Sequence, residues 1–369
     1  MSTYRVAETT VLDLVRAAVR SMPEYTPAQD PNGLANRLGV PVEQLVKLDA
    51  NENPYGPSPR VAEALARFRL YHIYPDPEQE RARALTAQYV NVPPEHIVLG
   101  NGSDELIDLV MRVFLEPGDE VIDFSPTFGM FAYDAHLCGA RVVDVPRDDD
   151  FQLRLDEVVR AVTPRTKLIL LANPNNPTGT LCSNDVVRRL AETGRIVLVD
   201  EAYAEFSGQT AIPLALEYPN VVVLRTFSKW AGLAGLRIGF GVFPRPIAAQ
   251  IWKIKQPFNV NAAAVVALQA TLEDIDTLRQ AVQRILQEKQ RLKRALEALP
   301  GVRVYPSAAN FFLVELASGR ARAVRDALME RGIIVRYFDK PRIDRCLRIS
   351  VGRPEHTDAL VAALRAMEL

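Results

Sequence analysis

Between residues 97 and 242 the chain alternates short apolar, β-branched runs with amphipathic stretches. The apolar runs lie at 97–100, 120–124, 141–145, 167–172, 196–199, 221–225 and 236–242. Helical periodicity separates most of them, notably over 103–115, 154–162 and 183–193. Runs that are apolar throughout, interleaved with helices, predict an α/β architecture with a mostly parallel sheet of seven strands covered by helices.

The flanks read differently. Residues 7–20 place Val11, Leu14, Val15, Ala18 and Val19 on one helical face, and about thirty irregular residues follow, with turn signals at Met22-Pro23-Glu24-Tyr25 and Asp30-Pro31-Asn32-Gly33. So long a loop is uncommon in a compact domain unless it is functional or lies on something else. Residues 1–47 are therefore expected to be an N-terminal arm that packs on a second subunit. A helix is expected from Ser58-Pro59, with a capping serine and proline at its first position, and another over about 78–90. Past residue 258 a helical stretch over 261–298 precedes strands at 302–305, 311–316, 333–336 and 346–351 and helices at 319–331 and 355–367. This predicts a large domain over 48–258 and a smaller α+β C-terminal domain over 259–369.

Composition narrows the class. The 369 residues carry a formal net charge of −1, which argues against a nucleic-acid binder that relies on bulk positive charge. The cysteines at 138, 182 and 346 and the histidines at 72, 96, 136 and 356 form no metal-ligand or disulfide pattern. No apolar run is long enough to cross a bilayer, and no leader pattern opens the chain. The default expectation is a cytoplasmic enzyme acting on small molecules.

Four motifs carry candidate chemistry. Lys229 stands just past the strand 221–225, followed by small residues and glycines; a partly desolvated lysine near other cations can lose its proton and form a Schiff base. Gly100-Asn101-Gly102-Ser103-Asp104-Glu105 opens a helix after a strand. Glu105 stands where a dinucleotide fingerprint needs glycine, and no Walker sequence is present. What remains is a helix start whose N–H groups at Gly102, Ser103 and Asp104 suit a phosphate. Asn173-Pro174-Asn175-Asn176-Pro177-Thr178-Gly179 and Asp200-Glu201-Ala202-Tyr203 follow two further strands, at the sheet edge where open α/β proteins bind ligands. Pyridoxal phosphate (PLP) requires a lysine for its aldehyde, a carboxylate for its ring nitrogen, donors for its phenolic oxygen and a phosphate cradle. Lys229, Asp200, Asn176 with Tyr203, and the 102–104 turn with Thr226 and Arg237 supply these in order.

With these motifs the chain resembles the fold-type I PLP-dependent aminotransferases, and most closely the histidinol-phosphate aminotransferase family. The resemblance runs from Tyr25 to Arg348 and includes Asn51-Glu52-Asn53-Pro54, Tyr74-Pro75-Asp76, Ser125-Pro126-Thr127-Phe128, Ser228-Lys229 and Leu347-Arg348. It implies that Lys229 holds the cofactor and shuttles the proton, and that Asp200 pairs with the ring nitrogen. Asn176 and Tyr203 would hold the phenolic oxygen, Phe128 would stack on the ring, and Gly102, Ser103, Asp104, Thr226 and Arg237 would surround the phosphate. It further implies a homodimer with shared active sites, in which Tyr74 reaches the neighbouring subunit's phosphate. Tyr25, Arg336 and Arg348 would contact the substrates, L-histidinol phosphate and 2-oxoglutarate. Two departures, Phe128 in place of the usual tyrosine and Trp230-Ala231 after the lysine, keep an aromatic amino-acid aminotransferase open. Threonine-phosphate decarboxylase shares many of the motifs.

Overall fold

The computed structural model describes residues 8–22, 30–367 and 369. Twelve strands among these residues form two sheets: β1 (Val46–Leu48), β2 (Ile97–Gly100), β3 (Glu120–Asp123), β4 (Arg141–Asp144), β5 (Thr166–Ala172), β6 (Ile196–Asp200), β7 (Val221–Thr226), β8 (Gly239–Val242), β9 (Val302–Val304), β10 (Phe311–Leu316), β11 (Ile333–Tyr337) and β12 (Cys346–Ser350). The larger sheet has the order β2-β8-β7-β6-β5-β3-β4. Only β8 runs against its neighbours; the remaining pairs are parallel. Burial explains the composition: β5, β6 and β7 are covered by helices on both sides, so Leu168–Leu171, Val197–Val199 and Val221–Leu224 are all inaccessible to solvent.

The smaller sheet has the order β1-β11-β12-β10-β9. Its edge strand β1 comes from the N-terminal side of the chain and pairs in parallel with β11. The sequence reading did not anticipate β1, because three residues carry too little periodicity to register.

Three local expectations are corrected. The periodic stretch 7–20 forms two short helices, Glu8–Asp13 and Ala17–Arg20, rather than one, and Val11, Leu12 and Leu14 stay exposed. Asp30-Pro31-Asn32-Gly33 is a helix start and not a turn. Asp30 accepts from the Asn32 and Gly33 amides, both at 3.0 Å, and Pro31 opens the helix Pro31–Leu38. An acidic cap followed by proline is equally a helix signature, and here it prevails. The long helix expected over 261–298 is broken at Asp274 into Ala262–Glu273 and Ile275–Glu297. The Asp274 carboxylate takes hydrogen bonds from Ser58 Oγ and Thr277 Oγ1, an alternative to continuing the helix. Ser58 does cap the helix Pro59–Arg67, accepting from Arg60 N at 3.2 Å.

Candidate active site

β5, β6 and β7 are adjacent and parallel, in a register that pairs Ala172 with Asp200 and Asp200 with Leu224. Neighbouring strands lie about 4.8 Å apart, so the turns that follow them converge on one edge of the sheet. That edge presents Asn176 after β5, Asp200 at the end of β6, and Thr226, Ser228 and Lys229 at and after β7.

Lys229 Nζ donates to Ala50 O at 2.8 Å. Burial first, and then the Arg348 guanidinium, lower its amine from 10.5 to about 8; Arg237 acts in the same direction, while Glu52 and Asp104 oppose. A useful fraction of the amine is therefore unprotonated near neutral pH. Asp200 is buried, and its Oδ1 accepts from Ala202 N at 3.1 Å. Burial, reinforced by the negative charges of Asp104 and Glu201, raises its carboxyl to about 7; the Ala202 amide and Lys229 oppose. A carboxyl held this way ionises readily once a cation is placed against it.

Tyr203 is buried, with its ring edge-on to Phe311 at 5.1 Å, and its hydroxyl oxygen accepts from Asn51 Nδ2 at 2.9 Å. Asn176 Oδ1 accepts from Arg348 Nη1 at 2.6 Å. A guanidinium only donates, so the Asn176 oxygen is committed and its NH2 group is the end available to donate. Arg348 also donates to Asp49 O. Arg336 on β11 stands opposite Arg348 on β12, so the two side chains share one face of the sheet. Both guanidinium groups lie against the Phe338 ring, at 5.7 and 5.6 Å. Two like charges placed opposite each other disfavour the bare sheet and favour an anion between them.

The turn expected to cradle a phosphate is assembled against β8. Gly239 sits between Gly100 of β2 and Thr226 of β7, and a Cβ there would meet Ser103 N at 2.7 Å. Gly102 has φ +82°, and a Cβ on it would fall 2.6 Å from Arg237 Nη2, so glycine is needed both for conformation and for close approach. Arg237, itself at φ +53° after the turn Ala234–Leu236, donates to Asp104 Oδ2 at 2.9 Å and to Ser228 Oγ at 3.4 Å. Thr226 Oγ1 donates to Ser228 Oγ at 2.9 Å. That turn is why β8 begins at Gly239 and not at 236. One element of the expected cradle is corrected: Gly102 N is already bonded to Gly100 O at 2.8 Å. The amides at the start of the helix Ser103–Phe114 have no partner within the helix.

The remaining candidates spread more widely. Phe128 is half-buried, in an edge contact with Phe131 at 5.7 Å. Tyr74 is 77% exposed and stacks on Phe258 at 4.5 Å. Tyr25 lies outside the described residues. Trp230, one of the two departures that keep an aromatic amino-acid enzyme open, has its indole buried in the core, stacked on Tyr89 at 5.4 Å. Burial of the indole also explains why a large aromatic is accommodated after the lysine. The sequence motifs contain Ser228 and Asn51 but give them no role; Ser228 joins Thr226 to Arg237, and Asn51 reaches Tyr203. The signal for Asn51 was a polar run, Asn51-Glu52-Asn53, that turn chemistry did not require. Sequence reasoning missed a buried network behind the sheet, where Arg225 pairs with Glu201 at 2.9 Å and Glu205 at 3.1 Å.

The description "Aminotransferase class I and II" matches residues 43–364. The chain is 53% identical over 364 residues to a histidinol-phosphate aminotransferase of Roseiflexus castenholzii, covering 96% of this chain and 98% of that one. It is 42% identical over 354 residues to the chloroplastic histidinol-phosphate aminotransferase 1 of Arabidopsis thaliana, covering 95% and 85%. Among solved structures, histidinol-phosphate aminotransferase from Sinorhizobium meliloti in complex with pyridoxal-5'-phosphate is similar, with a TM-score of 0.87, 31% identity and coverage of 95% and 96%. The chain belongs to the class I and II aminotransferases.

Proposed function

We propose that this protein transfers an amino group between L-histidinol phosphate and 2-oxoglutarate, in histidine biosynthesis, with pyridoxal phosphate as cofactor. The observation that carries the reading is the convergence of Lys229, Asp200, Asn176 and Tyr203 on one sheet edge beside the Arg336–Arg348 pair. The residues fit the cofactor: a Cβ at Gly102 would fill the cradle, and Asp200 is a buried carboxyl raised to about 7. Pyridoxal phosphate supplies an aldehyde and a ring that accepts the electrons of a substrate carbanion.

The chain's own residues do the rest. Lys229, with its amine lowered to about 8, would hold the cofactor through its aldehyde and, as a free amine, would take the substrate's α-proton and carry it to the adjacent carbon. Asp200 holds the ring nitrogen protonated. The Asn176 NH2 and the Tyr203 hydroxyl would donate to the phenolic oxygen, and Phe128 would offer an aromatic face to the ring. Ser103, Asp104, Thr226 and Arg237 would surround the phosphate, with Gly102 leaving room for it and Ser228 between Thr226 and Arg237. Arg348 and Arg336 receive the anionic group of each substrate in turn. Tyr25 and Tyr74 contact substrate and cofactor across a homodimer. The exposed run Leu70, Tyr71, Ile73 and Tyr74 supports such an interface. The arm over 1–47, the large domain over 48–258 and the small domain over 259–369 divide the work, with β1 lending one strand to the smaller sheet. No helix among the described residues is long and apolar enough to cross a membrane, and we assign the protein to the cytoplasm.

With Trp230 in the core, the aromatic amino-acid reading keeps only Phe128 in its favour. A half-reaction panel separates the candidates. L-Histidinol phosphate is expected to convert the cofactor to its amine form on the order of 10²-fold more efficiently than phenylalanine or tyrosine. The reverse order establishes the aromatic enzyme, and carbon dioxide release without a 2-oxo acid establishes a decarboxylase.

A further inference from the structure

Three consecutive residues, Asp49, Ala50 and Asn51, reach three functional side chains. Asp49 O accepts from Arg348 and Ala50 O from Lys229, while Asn51 Nδ2 donates to Tyr203. We propose that Asn51 is a positioning residue that fixes the Tyr203 hydroxyl so that its single proton points into the cofactor site.

The direction is set by a backbone amide, which can only donate. Asn51 N donates to Ser350 Oγ at 2.9 Å. The Ser350 hydroxyl, already an acceptor there, gives its proton to Asn51 Oδ1 at 2.8 Å. An asparagine whose oxygen accepts must present its NH2 at the other end, and that end meets Tyr203 Oη at 2.9 Å. The tyrosine oxygen therefore accepts, and its own O–H is left to donate elsewhere. Among the described residues no acceptor is found for that proton.

The residue type follows from two requirements. Asn51 sits at φ +57° and is 1% exposed; asparagine tolerates this backbone region far better than most residues. Its carbonyl is held by Asn310 Nδ2 at 2.9 Å, so the turn is pinned at both ends. Glycine would keep the backbone and lose the donor. Aspartate would keep the shape but only accept, drawing the tyrosine proton away from the site. Since β1 ends at Leu48 and Ser350 closes β12, the hydroxyl is oriented by the same sheet that carries Arg336 and Arg348.

Donors on the phenolic oxygen draw off its negative charge and lower the proton affinity of the nitrogen that joins lysine to cofactor. The inference rests on the cofactor reading above, and its test is a pH titration of the lysine–cofactor absorption band in the PLP-loaded protein. The other charges facing Lys229 are Arg348, Glu52, Asp104, Arg237 and Asp200, and the variants leave all of them in place. Asn51→Gly is expected to raise the titration midpoint by about one pH unit, the worth of one hydrogen bond. Ser350→Ala, which frees the amide to turn over, raises it less. Tyr203→Phe raises it too, and the Asn51→Gly/Tyr203→Phe pair should match Tyr203→Phe alone, because Asn51 acts through the tyrosine.

The proposal fails if Asn51→Gly titrates with the wild type, if it lowers only the melting temperature, or if its shift adds fully to that of Tyr203→Phe. Should Asn51→Gly not fold, Asn51→Asp is expected to shift the midpoint upward, and an unmoved midpoint overturns the proposal. A wild-type protein with no pH-dependent band overturns both this inference and the cofactor reading. A normal band with no response to L-histidinol phosphate overturns the substrate reading alone.

Discussion

Lys229, past the end of β7, and Lys289, within the helix Ile275–Glu297, are two lysines in closely similar electrostatic states. Burial lowers each amine from 10.5 to about 8. Each Nζ also donates to a backbone carbonyl, Ala50 O at 2.8 Å and Ser307 O at 2.6 Å. Their company differs. Lys289 has Lys293 as its next charge and lies 5.6 Å from the centre of the Phe312 ring. Lys229 has Asp200, Arg237 and Arg348 around it, with Tyr203 and Asn176 at the neighbouring strand ends. A lowered amine pKa therefore reports burial, and it becomes chemistry only where other groups converge on the same atoms.

Substitutions can break this contrast, and the largest effect is expected at Lys229. Lys229→Ala should lose the cofactor absorption band and cut turnover by at least about 10⁴-fold, if Lys229 is both the nucleophile and the proton carrier as proposed. Circular dichroism should show the fold unchanged. Asp200→Asn removes the charge that faces the ring nitrogen and should lower kcat by about 10²–10³-fold, measured in single-turnover half-reactions.

The smallest effect on catalysis is expected at Lys289, where Lys289→Met should leave turnover within about twofold. Its signature is in stability. The folded-state amine at about 8 lies below its ordinary value of 10.5, so between those pH values the unfolded chain binds more protons. Stability contributed by this group therefore rises from pH 8 toward pH 10.5. Denaturant unfolding across that window should show the wild type gaining on Lys289→Met as pH increases. Parallel profiles would mean that the buried amine is not depressed.

The seven strands of the larger sheet and the order of the motifs along them were legible in the sequence, because strands buried on both faces are written as unbroken apolar runs. Lys229, Asp200 and Asn176 were legible for the same reason: each follows such a run, and parallel topology then gathers them at one edge. Less legible were features that depend on distant pairing. β1 makes sense only beside Ile333–Val335, and the Asp30 cap resembles a turn until the helix behind it is seen. Whether Trp230, directly after Lys229, faces the pocket or the core cannot be read from its position in the chain; its indole stacks on Tyr89. The roles of Ser228 and Asn51, though both sit in the motifs, were not legible, because their partners Arg237, Tyr203 and Ser350 are distant in sequence or meaningful only in three dimensions.

The proposed cofactor amine is Lys229, and not the equally depressed Lys289. Reducing the PLP-loaded protein with borohydride converts the lysine–cofactor C=N bond to a stable C–N bond, and peptide mass spectrometry then locates the label. One phosphopyridoxyl group per chain is expected, on the peptide that contains Lys229. Label on Lys289, or spread over surface lysines with Lys229 unmodified, would contradict it.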